Sequence, residues 1–369
     1  MFLTELKIES VRNLQAVSLA SLQKVNVFYG SNGSGKTSVL EAVHLLGMAR
    51  SFRDVRVKTV ISHGQHDCTV FGKIRQRPDV SLVPVGVQRS RDGDVSIRAG
   101  QNSVHSVAEL VEYLPLQVIC ADSFSLLGGA PGVRRKFLDW GVFHVELGFY
   151  DEWQKFRRCL KQRNKLIRSG NVAAAELSVW TRDLAHSGVA ITKKRSDYYE
   201  KLAEAFRCTM TLLSPELDGL ELRLIAGWDR TRTYLEVLEA STSSDLERGY
   251  TQAGPQRADL RILERGRVAS EVLSRGQQKL VVCGLKIAQG RVMSEVRGVP
   301  CVYLVDDLPS ELDVEHSRRV CRLLEELQAQ VFLTCIDREQ IASVWPERSM
   351  LKTFHVEQGA VTPDNDCDD

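Results

Sequence analysis

One stretch near the start of the chain has the residue types and the spacing of a phosphate-binding loop. Its glycines allow successive backbone N–H groups to turn toward one anion without a Cβ in the way. The amine of Lys36 can reach the β- and γ-phosphates of a nucleoside triphosphate, and the hydroxyl of Thr37 can hold Mg²⁺. The sequence therefore predicts that the chain binds ATP or GTP. The loop residues are Gly30, Ser31, Asn32, Gly33, Ser34, Gly35, Lys36 and Thr37.

A second stretch, residues 301–313, supplies two acids for the same chemistry. Its first residues are mostly apolar and lead into Asp306 and Asp307, a pattern typical of a buried parallel strand that carries acids at its carboxyl end. Ligands of open α/β sheets bind at that end. Asp306 is predicted to hold the Mg²⁺ shell, and Asp307 to orient or deprotonate the attacking water. Because 270 positions separate Lys36 from Asp306, a large insertion must divide the two halves of the site.

A third stretch precedes the acids and opens a long predicted helix that runs to about Val292. Ser274 is a suitable N-cap, and the open N–H groups at the start of the helix form an anion site. A simple capped helix is the alternative interpretation. The order of parts is nevertheless that of ABC-type ATPases: phosphate loop, Ser-x-Gly-Gln helix, acid strand, and then Ser310-Glu311-Leu312-Asp313.

The surrounding elements must bring these stretches together. Residues 24–29 predict a buried strand that enters the phosphate loop, and apolar residues at helical spacing from Val39 to Leu46 predict the helix that follows it. Residues 1–29 indicate short antiparallel strands, and residues 55–105 indicate hairpins with a turn at Arg91–Asp94. From Pro131 to about Ser214 the chain is charged and helical, and β character returns afterwards.

These patterns predict an α/β protein, an ABC-type P-loop ATPase head of mixed sheets and helices with an inserted, mostly helical domain. Residues 1–120 form the first part of the head, with the phosphate loop and a β-rich lobe. Residues 121–254 form the insertion. Residues 255–369 form the second part, with the Ser274 helix, the acid strand and an acidic tail that we expect to be disordered.

The predicted insertion contains a strongly basic helix. Its apolar stripe is Phe156, Leu160 and Ile167, and residues 153–168 contain no acid. Such a helix is either a surface for the phosphate backbone of DNA or a solvated face whose charges pair with acids elsewhere in the fold. The residues predicted to contact DNA are Arg157, Arg158, Lys161, Arg163 and Lys165.

Composition limits the class of protein. The net charge is only +2, so a surface for DNA has to be a local patch. The nine cysteines are scattered without a Cys-x-x-Cys pair, which indicates free thiols in a reducing cytoplasm. The chain shows neither a signal peptide nor an apolar run of membrane-spanning length, so no membrane partner is expected. The spacing of Lys36 and Asp306 is too long for a transporter subunit, and the Ser274 helix has no role in a small-molecule kinase.

Taken together, these motifs resemble the RecF family, relatives of the SMC-type DNA-repair ATPases. The resemblance runs through most of the chain and includes three segments outside the nucleotide motifs, residues 134–140, 161–164 and 254–259. The pattern departs from the family in two places: Gln256 stands where the Gly-Pro-His-Arg pattern has histidine, and Pro309 stands where a small or aliphatic residue is usual. Thr334 lies where the switch residue of the family would be.

The resemblance implies a fold and a mode of action. The insertion would be a helical lid, and two heads would enclose two ATP molecules with Mg²⁺. The family binds DNA in an ATP-dependent way, on duplexes and at single-strand gaps and junctions, and acts with RecR and RecO to load RecA. Turnover would be slow and stimulated by DNA; an ATP switch without significant hydrolysis is the alternative. The region of Ser274 and Gly276 in one subunit would cap the γ-phosphate held by Lys36 of the other. The residues that would contact the other subunit or its ATP are Ser274, Arg275, Gly276, Gln277, Ser310 and Asp313.

Overall fold

The computed structural model describes residues 1–54, 56–76, 81–169, 173–345 and 351–364. The tail predicted to be disordered is residues 363–369. The prediction is wrong for its first two residues, because Pro363 ends a strand and the Asp364 carboxylate accepts from the Tyr29 hydroxyl at 2.8 Å, and residues 365–369 lie outside the described part of the chain. In chain order, the strands of the described part are β1 (Phe2–Val11), β2 (Leu14–Leu19), β3 (Val25–Tyr29), β4 (Asp67–Arg75), β5 (Val83–Ser90), β6 (Val95–Ala99), β7 (Asn102–Ser103), β8 (Leu116–Ile119), β9 (Leu220–Ile225), β10 (Asp259–Glu264), β11 (Arg267–Val268), β12 (Val302–Val305), β13 (Gln330–Cys335), β14 (Leu351–Glu357) and β15 (Ala360–Pro363).

The helices of the same ranges vary from single turns to a helix of 40 residues. They are α1 (Lys36–Met48), α2 (Val107–Tyr113), α3 (Ser125–Gly128), α4 (Pro131–Val145), α5 (Phe149–Ser169), α6 (Ala174–Leu213), α7 (Tyr234–Ala240), α8 (Thr242–Arg248), α9 (Ala269–Val272), α10 (Arg275–Arg297), α11 (Leu308–Glu311), α12 (Val314–Glu326) and α13 (Arg338–Ala342). None of them is long and apolar enough to span a membrane.

The chain folds as two compact units. The first contains Met1–Phe124, Thr209–Pro215 and Arg275–Asp369, and the second contains Ser125–Cys208 and Glu216–Ser274. This division differs from the predicted boundary at residue 254, because residues 255–274 belong to the second unit. The reason is strand pairing over a long distance: β10 pairs with β9 in antiparallel register, from Asp259 opposite Ile225 to Glu264 opposite Leu220.

A six-stranded sheet in the order β15-β14-β3-β13-β12-β8 forms the core of the first unit. Strands β14, β3, β13, β12 and β8 run parallel, and β15 closes the edge as a hairpin. The sequences of β12 and β13 are buried along their whole length, which is typical of parallel strands covered on both faces. Their carboxyl ends, with that of β3, lie at one edge of the sheet. That edge carries the candidate site.

The other sheet of the first unit is antiparallel, in the order β2-β1-β4-β5-β6-β7. The predicted hairpins between residues 55 and 105 are therefore present, and Arg91–Asp94 forms the turn between β5 and β6. The prediction of one antiparallel run over residues 1–29 is wrong for its last strand. β3 leaves the hairpin sheet because its apolar sequence pairs in parallel with β13 and β14.

The second unit combines helices α3 to α5, most of α6, and α7 to α9 with the small sheet β11-β10-β9. The predicted basic helix is α5. A bidentate ion pair joins Arg195 of α6 to Asp139 of α4, with N–O distances of 2.8 and 2.9 Å. A second pair joins Arg134 of α4 to Asp259 of β10 at 2.8 and 3.0 Å. These pairs fix the helices and the sheet of this unit together.

Candidate nucleotide site

The phosphate loop occupies the turn between β3 and α1. Two of its glycines are required by their surroundings, because their backbone φ angles are 149° at Gly30 and 121° at Gly35. A Cβ on Gly30 would lie 2.3 Å from the carbonyl oxygen of Val356, and one on Gly35 would lie 2.9 Å from the side-chain nitrogen of Asn13. Any side chain at either position would therefore displace the loop or its neighbours.

The ammonium group of Lys36 lies inside the loop. It donates hydrogen bonds to the carbonyl oxygens of Gly30 at 2.7 Å and of Ser31 at 2.9 Å. Lys36 is buried, with 8% of its surface exposed. A phosphate oxygen is a stronger acceptor than a peptide carbonyl because it carries charge. The Lys36 ammonium is therefore placed where the oxygens of a bound phosphate could replace the two carbonyl oxygens as its hydrogen-bond acceptors.

Residues from two other hairpins, near the start and near the end of the chain, hold the phosphate loop from outside. Asn13, between β1 and β2, donates from its amide to the carbonyl oxygen of Ser34 at 3.0 Å and accepts from the hydroxyl of Ser38 at 3.0 Å. The backbone N–H of Gly359, between β14 and β15, donates to the same Ser34 oxygen at 2.8 Å. These bonds give the Ser34 carbonyl two donors and tie the phosphate loop to two other turns of the first unit.

The two predicted acids follow β12 directly. The Oδ1 atom of Asp306 accepts a hydrogen bond from the Thr37 hydroxyl at 3.0 Å and another from the Thr334 hydroxyl at 2.7 Å. Asp307 has a left-handed backbone, with φ of 55° and ψ of 45°, which aspartate tolerates better than most residues. The structure thus brings Lys36, Thr37, Asp306 and Asp307 to one edge of the sheet, across the interval of 270 positions.

The donor set at this edge fits Mg²⁺ with a nucleotide. A hydroxyl and a carboxylate in contact are ligands for Mg²⁺, which keeps several waters and takes one or two protein oxygens together with phosphate. No group of three or more His, Cys, Asp or Glu in the described ranges could hold a metal without such a ligand. The Ser34 hydroxyl and the Oδ1 atom of Asp307 are buried here without a hydrogen-bond partner. Buried polar atoms of this kind are expected where a ligand supplies the missing partners.

The predicted γ-phosphate cap lies on two helix starts and a turn. Ser274 ends the second unit and Arg275 begins α10; both residues and Gly276 are exposed, whereas Gln277 is half-buried. Ser310 is exposed in α11. Asp313 is the N-cap of α12: it accepts from the backbone N–H of His316 at 2.9 Å, and this bond holds the pKa of its carboxyl below the usual value.

Comparison with known proteins identifies the family. The model of the RecF/RecN/SMC N terminal domain matches residues 2–362. The DNA replication and repair protein RecF of Pseudomonas putida strain F1 is 50% identical over 366 residues, which is 99% of each chain. The chain belongs to the RecF family. The RecF of Stutzerimonas stutzeri strain A1501 is 49% identical over 362 residues, 98% of this chain and 97% of the relative.

Solved structures agree with the RecF assignment. A structure described as the recombination mediator protein RecF with ATP, in the RecFOR pathway, superposes with a TM-score of 0.86 at 25% identity over 98% of this chain and 99% of that one. The SMC head domain of Pyrococcus furiosus, with an extended coiled coil, superposes with a TM-score of 0.58 at 16% identity over 98% of this chain and 95% of that one, a likeness of fold alone. The predicted ABC-type head is confirmed.

Of the five residues predicted to contact DNA, four are exposed and one is buried. Arg157, Arg158, Lys161 and Lys165 are exposed on α5. The prediction for Arg163 is wrong, because this side chain is fully buried. Its guanidinium donates to the Asp245 carboxylate at 2.8 Å and to the hydroxyls of Thr251 and Thr181 at 2.6 and 3.1 Å. Arg163 therefore holds the second unit together and is not available to a nucleic acid.

The two departures from the RecF pattern have local explanations. Pro309 lies in the first turn of α11, where a missing N–H leaves no helical hydrogen bond unmade. The side-chain amide of Gln256 donates to the carbonyl oxygen of Ala253 at 2.9 Å. Gln256 therefore stabilises the loop in which it lies.

Sequence reasoning missed the residues that support the site from outside. Asn13 and Gly359 are distant from the loop along the chain, and no local pattern marks either of them. Thr334 was noted only for its position, whereas its contacts with the acids are specific. The thiol of the next residue, Cys335, stays protonated because burial raises its pKa to about 12, so it adds no charge beside the acids.

Proposed function

We propose that this chain binds ATP with Mg²⁺ and uses ATP to control its own association on DNA during recombinational repair and replication. The observation that carries the proposal is the 3.0 Å contact between Thr37 of the phosphate loop and Asp306 of the acid strand. A hydroxyl and a carboxylate meet there beside a lysine, which is the arrangement required for a nucleotide with its metal. The RecF structure solved with ATP and the RecF relatives named for DNA replication and repair support the same assignment.

The ATP site would be completed by a second copy of the chain. Ser274, Arg275 and Gly276 are exposed at the start of α10, where open N–H groups and the positive end of the helix favour an anion. A cap supplied by another subunit would make ATP the bridge between two chains. Ser310 and Asp313 would join this interface, and the N-cap bonds of Asp313 would fix its position.

In the cell, the proposed role is that of a switch at single-strand gaps. The dimer would hold duplex DNA or gapped junctions while ATP is bound, act with RecR and RecO in the cytoplasm, and help RecA to load. Slow hydrolysis, stimulated by DNA, would release it. Asp307 supports hydrolysis because a buried carboxylate oxygen without a partner can orient a water. The exposed basic face of α5 is the proposed surface for DNA phosphates.

Steady-state ATP hydrolysis across protein concentrations, with and without a gapped duplex, tests this proposal. We expect the rate per subunit to rise with protein concentration and with DNA. A rate that ignores both would mean that each chain holds a complete site, and the proposed dimer would be abandoned. ATP-dependent dimerisation and DNA binding without measurable hydrolysis would select the alternative, a switch that releases ATP unchanged.

Ser274→Arg tests the shared site directly. We expect this variant to bind ATP as the unchanged protein does but to remain monomeric by analytical ultracentrifugation, because the added side chain occupies the place of the partner's γ-phosphate. Ser96→Arg is the matched control, since Ser96 is exposed on β6 and gains the same charge. An ATP-bound dimer of normal stability in Ser274→Arg would contradict the two-subunit arrangement.

A further inference from the structure

Thr334 occupies the strand that separates the two halves of the nucleotide site. β13 lies between β3, which leads into the phosphate loop, and β12, which leads into the acids. Leu333 pairs with Val305, the last residue of β12. The next residue, Thr334, is therefore level with Asp306, and it is fully buried.

The hydroxyl of Thr334 makes two hydrogen bonds with different acids. It donates its single proton to Oδ1 of Asp306 at 2.7 Å, and it accepts from the backbone N–H of Asp307 at 2.9 Å. Because the proton is used by Asp306, the hydroxyl cannot also donate to a phosphate. These bonds point to a role for Thr334 that acts through the two acids, and not through a direct bond from its hydroxyl to the γ-phosphate.

The same two bonds specify where both carboxylates lie. Asp306 receives one hydroxyl from the phosphate-loop side, Thr37, and one from the β13 side, Thr334, on the same oxygen atom. Asp307 has a left-handed backbone, a conformation that costs free energy for residues other than glycine and that aspartate visits occasionally. The bond from its N–H to Thr334 supports this conformation, and without it a buried N–H would lose its partner.

We propose that Thr334 is a positioning residue that holds Asp306 for the metal and Asp307 in its left-handed conformation. The inference rests on the proposed function, since it assumes that Mg²⁺ and ATP bind at this edge. Hydroxyls and carboxylates that orient a metal ligand typically change metal affinity by ten- to a hundredfold when removed. Thr334 would act on the metal and would leave the contacts of the phosphate loop with the nucleotide unchanged.

Thr334→Val and Thr334→Ser separate the hydroxyl from the shape of the side chain. Valine keeps the branched form and removes both hydrogen bonds, whereas serine keeps the hydroxyl. Thr209→Val is the matched control: Thr209 is equally buried, and its hydroxyl has no hydrogen-bond partner in the described part of the chain. A fluorescent ATP analogue is titrated into each protein at a series of Mg²⁺ concentrations and in EDTA, and melting is recorded without nucleotide.

For Thr334→Val we expect the Mg²⁺ concentration at half-maximal nucleotide affinity to rise at least tenfold, while affinity in EDTA changes less than twofold. Thr334→Ser and Thr209→Val should keep the Mg²⁺ dependence of the unchanged protein. Normal Mg²⁺ dependence in Thr334→Val would overturn the proposal. So would an equal loss of affinity with and without Mg²⁺, because a merely structural role predicts that result.

Two further outcomes are covered by the same design. If Thr334→Val gives no melting transition, Thr334→Cys replaces it, because a thiol is a weak donor; equal Mg²⁺ dependence in Thr334→Cys and Thr334→Ser would then overturn the proposal. If the unchanged protein binds the analogue without any effect of Mg²⁺, the proposed function itself fails, whatever the variants do.

Discussion

Two buried polar clusters, one in each unit of the molecule, differ in how completely their hydrogen bonds are made. Around Arg163 in the second unit, Asp245, Thr251 and Thr181 all bond to the guanidinium, and Asn164 accepts from the backbone and the hydroxyl of Thr251 at 2.8 Å each. None of these side chains has a buried polar atom without a partner. The cluster is closed in this sense: each of its buried side-chain polar atoms has a hydrogen-bond partner.

In the nucleotide site of the first unit, by contrast, some buried polar atoms have no hydrogen-bond partner, and we call this site open. The hydroxyl of Ser34 and Oδ1 of Asp307 are buried without partners, and the ammonium of Lys36 has only carbonyl oxygens as acceptors. Leaving polar atoms unpaired costs free energy, which a structural cluster avoids and a binding site recovers when its ligand arrives. The comparison shows that two charged clusters differ in whether their buried polar atoms are paired, and unpaired atoms beside a phosphate loop are the ones that a ligand would satisfy.

The largest expected effect comes from breaking the closed cluster. Arg163→Met leaves the Asp245 carboxylate buried and without its cation, so we expect the free energy of unfolding to fall by about 3–5 kcal/mol. Urea denaturation measures this loss. Arg158→Met, on the exposed face of the same helix, is the control and should change stability by less than about 0.5 kcal/mol.

The double variant Arg163→Met/Asp245→Leu sharpens the same test. Removing both charges relieves the uncompensated carboxylate, so much of the lost stability should return. If Arg163→Met costs less than about 1 kcal/mol, or if the double variant is no more stable than the single one, the charges are not the basis of the cluster's closure.

The open site should respond in the opposite way, with a large loss of binding and a smaller loss of stability. Lys36→Ala removes a charge-assisted bond to phosphate, worth about 1.5–3 kcal/mol, so nucleotide affinity should fall about a hundredfold. Nucleotide-dependent DNA binding should be lost with it, as measured by fluorescence anisotropy. The unfolding free energy should fall by about 1–3 kcal/mol, less than the loss expected for Arg163→Met, because two carbonyl bonds disappear.

Lys24→Ala is the matched control for Lys36→Ala. Both lysines are 8% exposed, but Lys24 precedes β3 at the end opposite to the phosphate loop. Its replacement should leave nucleotide affinity within about twofold of the unchanged protein, a difference of about 0.4 kcal/mol. Retained nucleotide-dependent DNA binding in Lys36→Ala would remove the basis for calling this edge an ATP site.

The sequence predicted the parts of the open site that are local and missed those that depend on pairing over distance. Strand β3, the loop and α1 are contiguous, and their glycines and periodicity are enough to identify them. The contacts of Asn13 and Gly359 with Ser34 leave no trace in composition or spacing, because each depends on a turn from another hairpin. The boundary at residue 254 was misplaced for the same reason, since β9 and β10 pair across the intervening helices.

Arg163 is a different kind of error, because the sequence contained the signal. Phe156 and Ile167 define the buried stripe of α5, and Arg163 lies four positions before Ile167, on that stripe. A count of basic residues along the helix ignores which face of the helix each residue occupies. A cation on the apolar face of an amphipathic helix predicts a buried ion pair, whereas a cation on the opposite face remains available.

The smallest expected effect comes from the exposed face of α5. This face lies on the same helix as Arg163 of the closed cluster, so the two kinds of site can be compared within one element. Arg158→Glu/Lys161→Glu/Lys165→Glu reverses three exposed cations. We expect DNA affinity to fall about tenfold at moderate salt, and the slope of log affinity against log salt to decrease by about one for each DNA phosphate that the variant no longer neutralises. Nucleotide affinity and stability should not change.

The control for this triple variant reverses three exposed arginines on the small sheet of the same unit, Arg223, Arg261 and Arg267. Both variants change the net charge equally, so a general effect of charge on DNA binding would appear in both. A loss confined to the α5 variant would mean that the exposed cations of this helix bind DNA phosphates, so that this face, like the nucleotide site, has groups that a ligand completes. Equal losses, or none, would mean that the exposed cations of this face are solvated and do not bind DNA.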